Sequence, residues 1–107
     1  MKKFKLKNMR GGWFVGNFQP TAFKTKHFEV GYKLHKKGER WPKHYHQQTT
    51  EINYLIKGRM KLNRAEFKSG DIFMIEPGEI AKPEFLQTCQ LIVVKVPSLP
   101  KDKYEVV

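Results

Sequence analysis

Apolar and polar positions alternate over short distances along this chain, and no long stretch repeats every 3.6 residues. Trp13-Phe14-Val15 stands between Gly11-Gly12 and Gly16-Asn17. From His27 to His35, Phe28, Val30, Tyr32 and Leu34 alternate with His27, Glu29, Gly31, Lys33 and His35, a period of two with one apolar and one mainly polar face. A turn at Lys36-Lys37-Gly38-Glu39 follows. Pro42 to His46 reads as extended, Gln47 to Thr50 as a turn, and Glu51 to Ile56 as a strand ending at Lys57-Gly58. Met60 to Leu62 and Ala65 to Phe67 flank Asn63-Arg64, the pattern of a tight hairpin. Ser69-Gly70-Asp71 leads into the apolar run Ile72 to Ile75, Glu76-Pro77-Gly78-Glu79 turns again, and Leu91 to Val96 is stopped by Pro97 and Pro100. Lys101 to Val107 is either a docked arm or a fraying end. Roughly eight to ten short strands with frequent turns predict an all-β sandwich or barrel.

Composition narrows this picture. A chain of 107 residues fits one domain with one core, and 39% hydrophobic with 13% aromatic residues argues against disorder. No apolar run approaches the roughly 20 residues that span a bilayer, so no membrane partner is expected. The start, Met1 to Lys7, has the positive charge of a signal peptide without its apolar stretch, so export is not expected. Cys89 is the single cysteine, which rules out an internal disulfide and suits a cytoplasmic protein; it reads as a small buried hydrophobe. The formal charge of +11, from 21 basic and 10 acidic residues, favours anionic partners, either small phosphorylated or carboxylated molecules or nucleic acid. The lysines are scattered and no nucleic-acid-binding motif is present, so nucleic acid is not the expected partner. A merely soluble, well-charged surface is the alternative.

The candidate chemistry lies between the third and fifth apolar segments. His44 and His46, two apart on an extended strand, aim at one spot while Tyr45 faces away. After the Gln47-Gln48-Thr49-Thr50 connection, Glu51 opens the next strand, and a tight reversal sets its carboxylate beside the two imidazoles. Two imidazoles and a carboxylate suit zinc, iron(II), manganese or nickel, with coordination positions left for water or substrate.

Gly38, His44, His46, Glu51 and Gly58 resemble in their spacing the first motif of the cupin superfamily, and Gly70 to Gly78 partly resembles the second. Motif 1 spans 38–58, the partial motif 2 spans 70–85, and residues 1–107 form a single cupin domain on this reading. The resemblance implies a small jelly-roll β-barrel, often a homodimer; closure of exposed strand edges gives the same expectation of a homodimer. In many relatives the two His and the Glu hold a divalent metal together with a further His from motif 2. Here that position is Ala81, and no histidine follows His46. Three open readings result: His44, His46 and Glu51 alone bind the metal; His35 approaches from an earlier strand; or a metal-free pocket uses these residues to hydrogen-bond a ligand.

Other residues carry paired readings. Asn53 shares the Glu51 face and is a ligand-binding candidate or a structural hydrogen-bonder. Lys95, within Leu91 to Val96, either offers a cation to an anionic ligand or sits at a sheet edge with its head snorkelling, the second being preferred. Glu76 and Glu84 flank the motif 2 turn, as bases, substitute ligands or solvated surface groups. Phe85 makes the expected pocket more apolar. The resemblance thus implies a barrel binding a divalent metal (Fe, Mn, Ni or Zn) and a small, anionic ligand of sugar or carboxylate type, with isomerase or dioxygenase chemistry at His44 and His46, and with His35, Asn53 and Lys95 on the ligand. A metal-free sugar-nucleotide isomerase, in which a histidine is the general base and Glu51 orients it, and a binding module without turnover are the alternatives.

Overall fold

A computed structural model describes residues 1–106. After a single 3-10 turn at Leu6–Asn8, the chain runs through strands β1 (Trp13–Gly16), β2 (Phe23–Lys24), β3 (Glu29–His35), β4 (His44–Tyr45), β5 (Thr50–Lys57), β6 (Arg59–Leu62), β7 (Ala65–Lys68), β8 (Ile72–Ile75), β9 (Pro83–Phe85), β10 (Cys89–Val96) and β11 (Tyr104–Glu105). The all-β expectation is met. Among the described residues no helix is long and apolar enough to cross a membrane.

Six strands form one sheet in the order β2-β1-β3-β10-β5-β8, and β7-β6-β9 and β11-β4 form smaller sheets. Leu55, Phe73, Leu91 and Val93 from the large sheet share one buried cluster with Met60 and Phe85 from the three-stranded sheet. Burying each such large side chain contributes roughly 1.5–3 kcal/mol, and this shared core holds the two layers together. Isolated bridges from Arg40 to Glu84 and from His44 to Ala81 tie motif 1 to the segment around β9.

Strand β3 puts its period of two to an unexpected use. Glu29 and Gly31 are buried and Lys33 and His35 half-buried, while Leu34 on the other face is 52% exposed. The mainly polar face therefore looks into the barrel and the apolar face looks out. Gly31 permits this because the Trp13 ring lies over it, 2.6 Å from where a Cβ would stand. The inward Glu29 carboxylate accepts a hydrogen bond from the Ser98 hydroxyl (2.7 Å) and faces Lys95 Nζ at 4.0 Å, so the buried charge is matched.

Lys95 corrects its preferred reading. Strand β10 pairs with β3 on one side and β5 on the other, so it is central, and Lys95 points inward rather than snorkelling from an edge. The chain end through residue 106 is a docked arm. β11 pairs with β4, Tyr45 stacks on Tyr104 with centroids 5.4 Å apart, and the buried Asp102 carboxylate accepts the backbone N–H groups of Gln47, Gln48 and Thr49 at 3.0, 2.9 and 3.0 Å. The Asn63-Arg64 hairpin forms between β6 and β7 as predicted, with Asn63 at φ 57°. Its side chain donates to the Ile80 carbonyl and accepts from Lys82 N–H.

Two outcomes test this frame. Gly58 holds φ +106°, and a Cβ there would stand 2.4 Å from the Thr88 carbonyl oxygen, so Gly58→Ala should cost about 2 kcal/mol or more in urea unfolding. Burial pushes the Asp102 carboxyl up, but the N–H groups of Gln48, Gln47 and Thr49 outweigh it and hold it below its ordinary 3.8. A depressed carboxylate stabilises the fold fully above its unfolded value and loses that contribution as pH falls through the folded one. Asp102→Asn should therefore cost about 1–3 kcal/mol at pH 7, with the gap to the natural chain closing as unfolding is followed from pH 5 down to 2.

Candidate functional site

A cavity of about 260 Å³ opens between the layers, with Lys33, His35, His44, His46, Glu51, Asn53 and Lys95 all on its wall. It is slightly smaller than the pockets that hold drug-sized ligands, which suits a small molecule. Strand pairing places these side chains. Lys95 lies opposite Glu29 on β3 and opposite Glu51 on β5, so the three share one inward row.

The arm fixes His46. Its Nδ1 hydrogen-bonds the Asp102 carbonyl, and because a carbonyl only accepts, Nδ1 carries the proton. In the neutral ring Nε2 then holds a bare lone pair. This atom is buried without a hydrogen-bond partner and faces Glu51 Oε1 across 3.5 Å. Asn53 donates from Nδ2 to Glu51 Oε2 (3.0 Å), and Lys95 Nζ stands 3.9 Å from Oε1. Burial pushes the Glu51 carboxyl up, but His46 when it carries a proton on Nε2 as well, the charge of Lys95 and the Asn53 amide outweigh it and hold it at about 2. Lys95 and Asn53 keep Glu51 ionised beside the neutral ring too, where two acceptors face each other across a gap that takes a proton, a ligand donor or a cation.

His44 stands apart from this pair. Its Nδ1 donates to the Pro42 carbonyl at 3.1 Å, and its ring is nearly perpendicular to that of His46 with centroids 5.7 Å apart. Burial and the nearby Lys103 charge lower its pKa, against the pull of the Pro42 carbonyl. His35 lines the same cavity, but Nδ1 is engaged by Glu39, and its ring stacks on Phe85 at 4.4 Å. Glu39 also accepts from Trp41 Nε1 at 2.6 Å. His35 therefore belongs to an aromatic wall rather than to the His46–Glu51 pair. Phe85 is buried on that wall, while Glu76 and Glu84 are exposed away from it.

Two lysines escaped the sequence reading. Lys33 and Lys103 line the cavity together with Lys95. Lys95 Nζ lies 4.8 Å from the Trp13 ring centroid, Lys33 5.4 Å from the same ring, and Lys103 4.3 Å from the Trp41 ring. Burial first, then the charges of their fellow lysines, lowers the pKa of both Lys33 and Lys103. Lys33 was legible as the polar face of β3, had that face been assigned inward. Lys103 and Asp102 gave no local signal, since the arm meets motif 1 only through the fold.

The fit to a divalent ion is partial. Both imidazoles give Nδ1 to a backbone carbonyl and keep Nε2 free, as ligating histidines do. Among the described residues, however, no three His, Cys, Asp or Glu side chains gather closely enough to hold an ion. Ala81, the motif 2 position without a histidine, is buried on the cavity wall and exchanges backbone hydrogen bonds with His44 at 3.0 and 2.8 Å.

No family model and no curated protein matches the chain. Solved structures do. An RmlC-like cupin protein with a double-stranded β-helix fold from Methanocaldococcus jannaschii is 26% identical, with a TM-score of 0.60 over 69% of this chain and 73% of that one. A double-stranded β-helix protein from Klebsiella pneumoniae is 17% identical, with a TM-score of 0.69 over 77% and 72% of the two chains. Pac13, a nucleoside dehydratase, is 11% identical with a TM-score of 0.74 over 99% and 91%. With its two layers, its inward polar row and these neighbours, the chain is a small protein of the cupin fold.

Proposed function

We propose that the barrel binds a small anionic organic molecule and that His46, backed by Glu51, moves a proton on it. The observation that carries this reading is the bare, buried His46 Nε2 facing an ionised carboxylate in a cavity rimmed by three lysines. Lys33, Lys95 and Lys103 attract and seat a carboxylate or phosphate group, and Trp13, Trp41 and His35 flank the body of the ligand. A hydroxyl or acidic C–H of that ligand enters the gap, and Nε2 takes its proton. The resulting imidazolium lies between the Asp102 carbonyl and the Glu51 carboxylate, both of which stabilise it. Returning the proton to another atom of the substrate isomerises it; where the proton came from a C–H, its electron pair forms a double bond as the neighbouring carbon's bond to the leaving group breaks, and the proton passes to that group, completing an elimination. Pac13, named as a dehydratase, is an example of elimination chemistry on this fold. A positioned acid–base of this kind contributes about 10²–10⁴ in rate. The buried free thiol of Cys89 suits a cytoplasmic setting.

A second reading rests on the Nδ1 bonds of both histidines: a divalent metal (Fe, Mn, Ni or Zn) held by His44, His46 and Glu51, acting as a Lewis acid on the same anionic ligand. Among the described residues no three such side chains gather closely enough to hold an ion, and the Lys95 charge lies 3.9 Å from Glu51, both of which favour the proton-transfer reading. The non-catalytic alternative uses the same lysines without turnover.

Thermal-shift and calorimetric titrations with citrate, inorganic phosphate and glucose 6-phosphate, against uncharged glucose, test the first step. At least one anion should bind, more weakly as salt rises, and Lys33→Met or Lys103→Met should weaken it about tenfold each. Equal binding of glucose, or indifference to both variants, would overturn the anion site. For the chemistry, His46→Ala should lower turnover of a responding substrate by about 100-fold or more, with activity surviving a chelator. Activity lost to the chelator and restored by one metal, with tighter metal binding in Ala81→His, would select the metal reading instead.

A further inference from the structure

The first 28 residues contain no acidic side chain. They hold seven of the chain's 21 Lys and Arg residues and none of its 10 Asp and Glu, so they carry +7 of the net +11. Lys2, Lys3, Lys5, Lys7 and Arg10 lie in the opening segment, and Lys24 and Lys26 follow in and just after β2. All seven are exposed, and among the described residues none of them is in an ion pair. Phe4 (49% exposed), Leu6 (45%), Phe23 (62%) and Phe28 (37%) stand among them, open to solvent. The fold gathers the two stretches at one edge of the barrel. Lys3, Phe4 and Lys5 line an open cleft with Gln19, Pro20 and Thr21. The Thr21 hydroxyl lies 3.0 Å from the Phe14 carbonyl and 3.1 Å from that of Phe23, so the cleft runs up to β2. Strand β2 is the outermost of the large sheet, and its register sets Phe23 in line with Val15 and Val30 on the outward face.

We infer that this basic edge, studded with apolar side chains, binds the surface of an anionic lipid bilayer. It stands apart from the pocket and its chemistry, since none of these side chains lines the cavity. The expectation of no membrane partner rests on the lack of a spanning stretch, and a contact at the bilayer surface needs none. Lysine heads reach the lipid phosphates on long apolar stems, while the Phe and Leu side chains between them enter the boundary of headgroups and acyl chains. Each Lys or Arg held near an anionic leaflet raises affinity about fivefold, so four engaged together contribute on the order of several hundred-fold. Charge and side-chain type together decide the occupant. A nucleic acid would use the cations, but its bases stack on aromatic planes, and Leu6 offers none. An acidic protein would need a shaped pocket for each apolar side chain. A bilayer accepts such side chains wherever they fall, which suits four that share no single strand or helix face.

Co-sedimentation of the purified chain with large lipid vesicles tests this, with circular dichroism confirming that each variant is folded. The chain should pellet with vesicles of phosphatidylcholine and phosphatidylglycerol at about 7:3 and stay in solution with phosphatidylcholine alone. Raising NaCl from about 50 to about 300 mM should weaken the binding about tenfold or more. Lys3→Glu with Lys5→Glu should weaken it about 50-fold or more. Phe4→Ser with Phe23→Ser should weaken it about tenfold and leave its salt dependence in place. Lys57→Glu with Lys68→Glu, the same change of net charge at exposed positions elsewhere, should leave it within about threefold. No binding to the anionic vesicles, equal binding to phosphatidylcholine alone, an equal loss in the Lys57 and Lys68 variant, or indifference to the two phenylalanines would each overturn the inference. A mixed-sequence DNA strand that binds through Lys3 and Lys5 regardless of the phenylalanines, and strips the chain from the vesicles, would overturn it too and assign the edge to nucleic acid.

Discussion

The register of β10 between β3 and β5 is the constraint on which the rest of the molecule depends. It sets Lys95 between Glu29 and Glu51 on the inner face, and in the same step aligns Val94 with Val30 and Ile52 on the outer face. Because side chains alternate with a period of two, a slip of one residue would expose the charged row and bury the apolar one. The charges are tolerable inside because each is matched: Glu29 by Ser98 and Lys95, and Glu51 by Asn53 and Lys95. One pairing decision therefore sets a charged row beside the apolar core on the inner face and leaves apolar rows on the outer one.

The second requirement is that the motif 1 histidine be held still, and that comes from far along the chain. Asp102 acts twice. Its carboxylate collects three backbone N–H groups of the turn after His46, and its carbonyl takes the Nδ1 proton of His46 itself. The arm that carries Asp102 also brings Lys103 over Trp41 at the cavity rim. Docking the arm thus orders the turn, selects the tautomer and adds a cation to the pocket together.

The legible part of this protein was local. The alternation of short apolar segments fixed the all-β class, the His-x-His spacing and the turn before Glu51 located the pair that faces the cavity, and Asn63-Arg64 marked its hairpin. What escaped was the sense of each strand face. An alternating strand such as β3 shows two faces without saying which is inside, and the usual preference for apolar residues inward points the wrong way here. Lys95 was misplaced for the same reason: a lone lysine in an apolar run reads as an edge until a buried carboxylate appears on each side of it. Asp102 and Lys103 lay beyond sequence reasoning because their partners are more than fifty residues away.

The claim at the centre of this account is that His46 carries its proton on Nδ1 and presents a bare Nε2 to the cavity. Imidazole nitrogen NMR of the natural chain above neutral pH, with His46 assigned by comparison with His46→Gln, reads this directly. The account expects a single Nδ1–H tautomer for His46, with the Nε2 signal shifting when a binding anion is added. A His46 protonated on Nε2 alone, or an Nε2 signal that ignores an anion bound in the cavity, would contradict it.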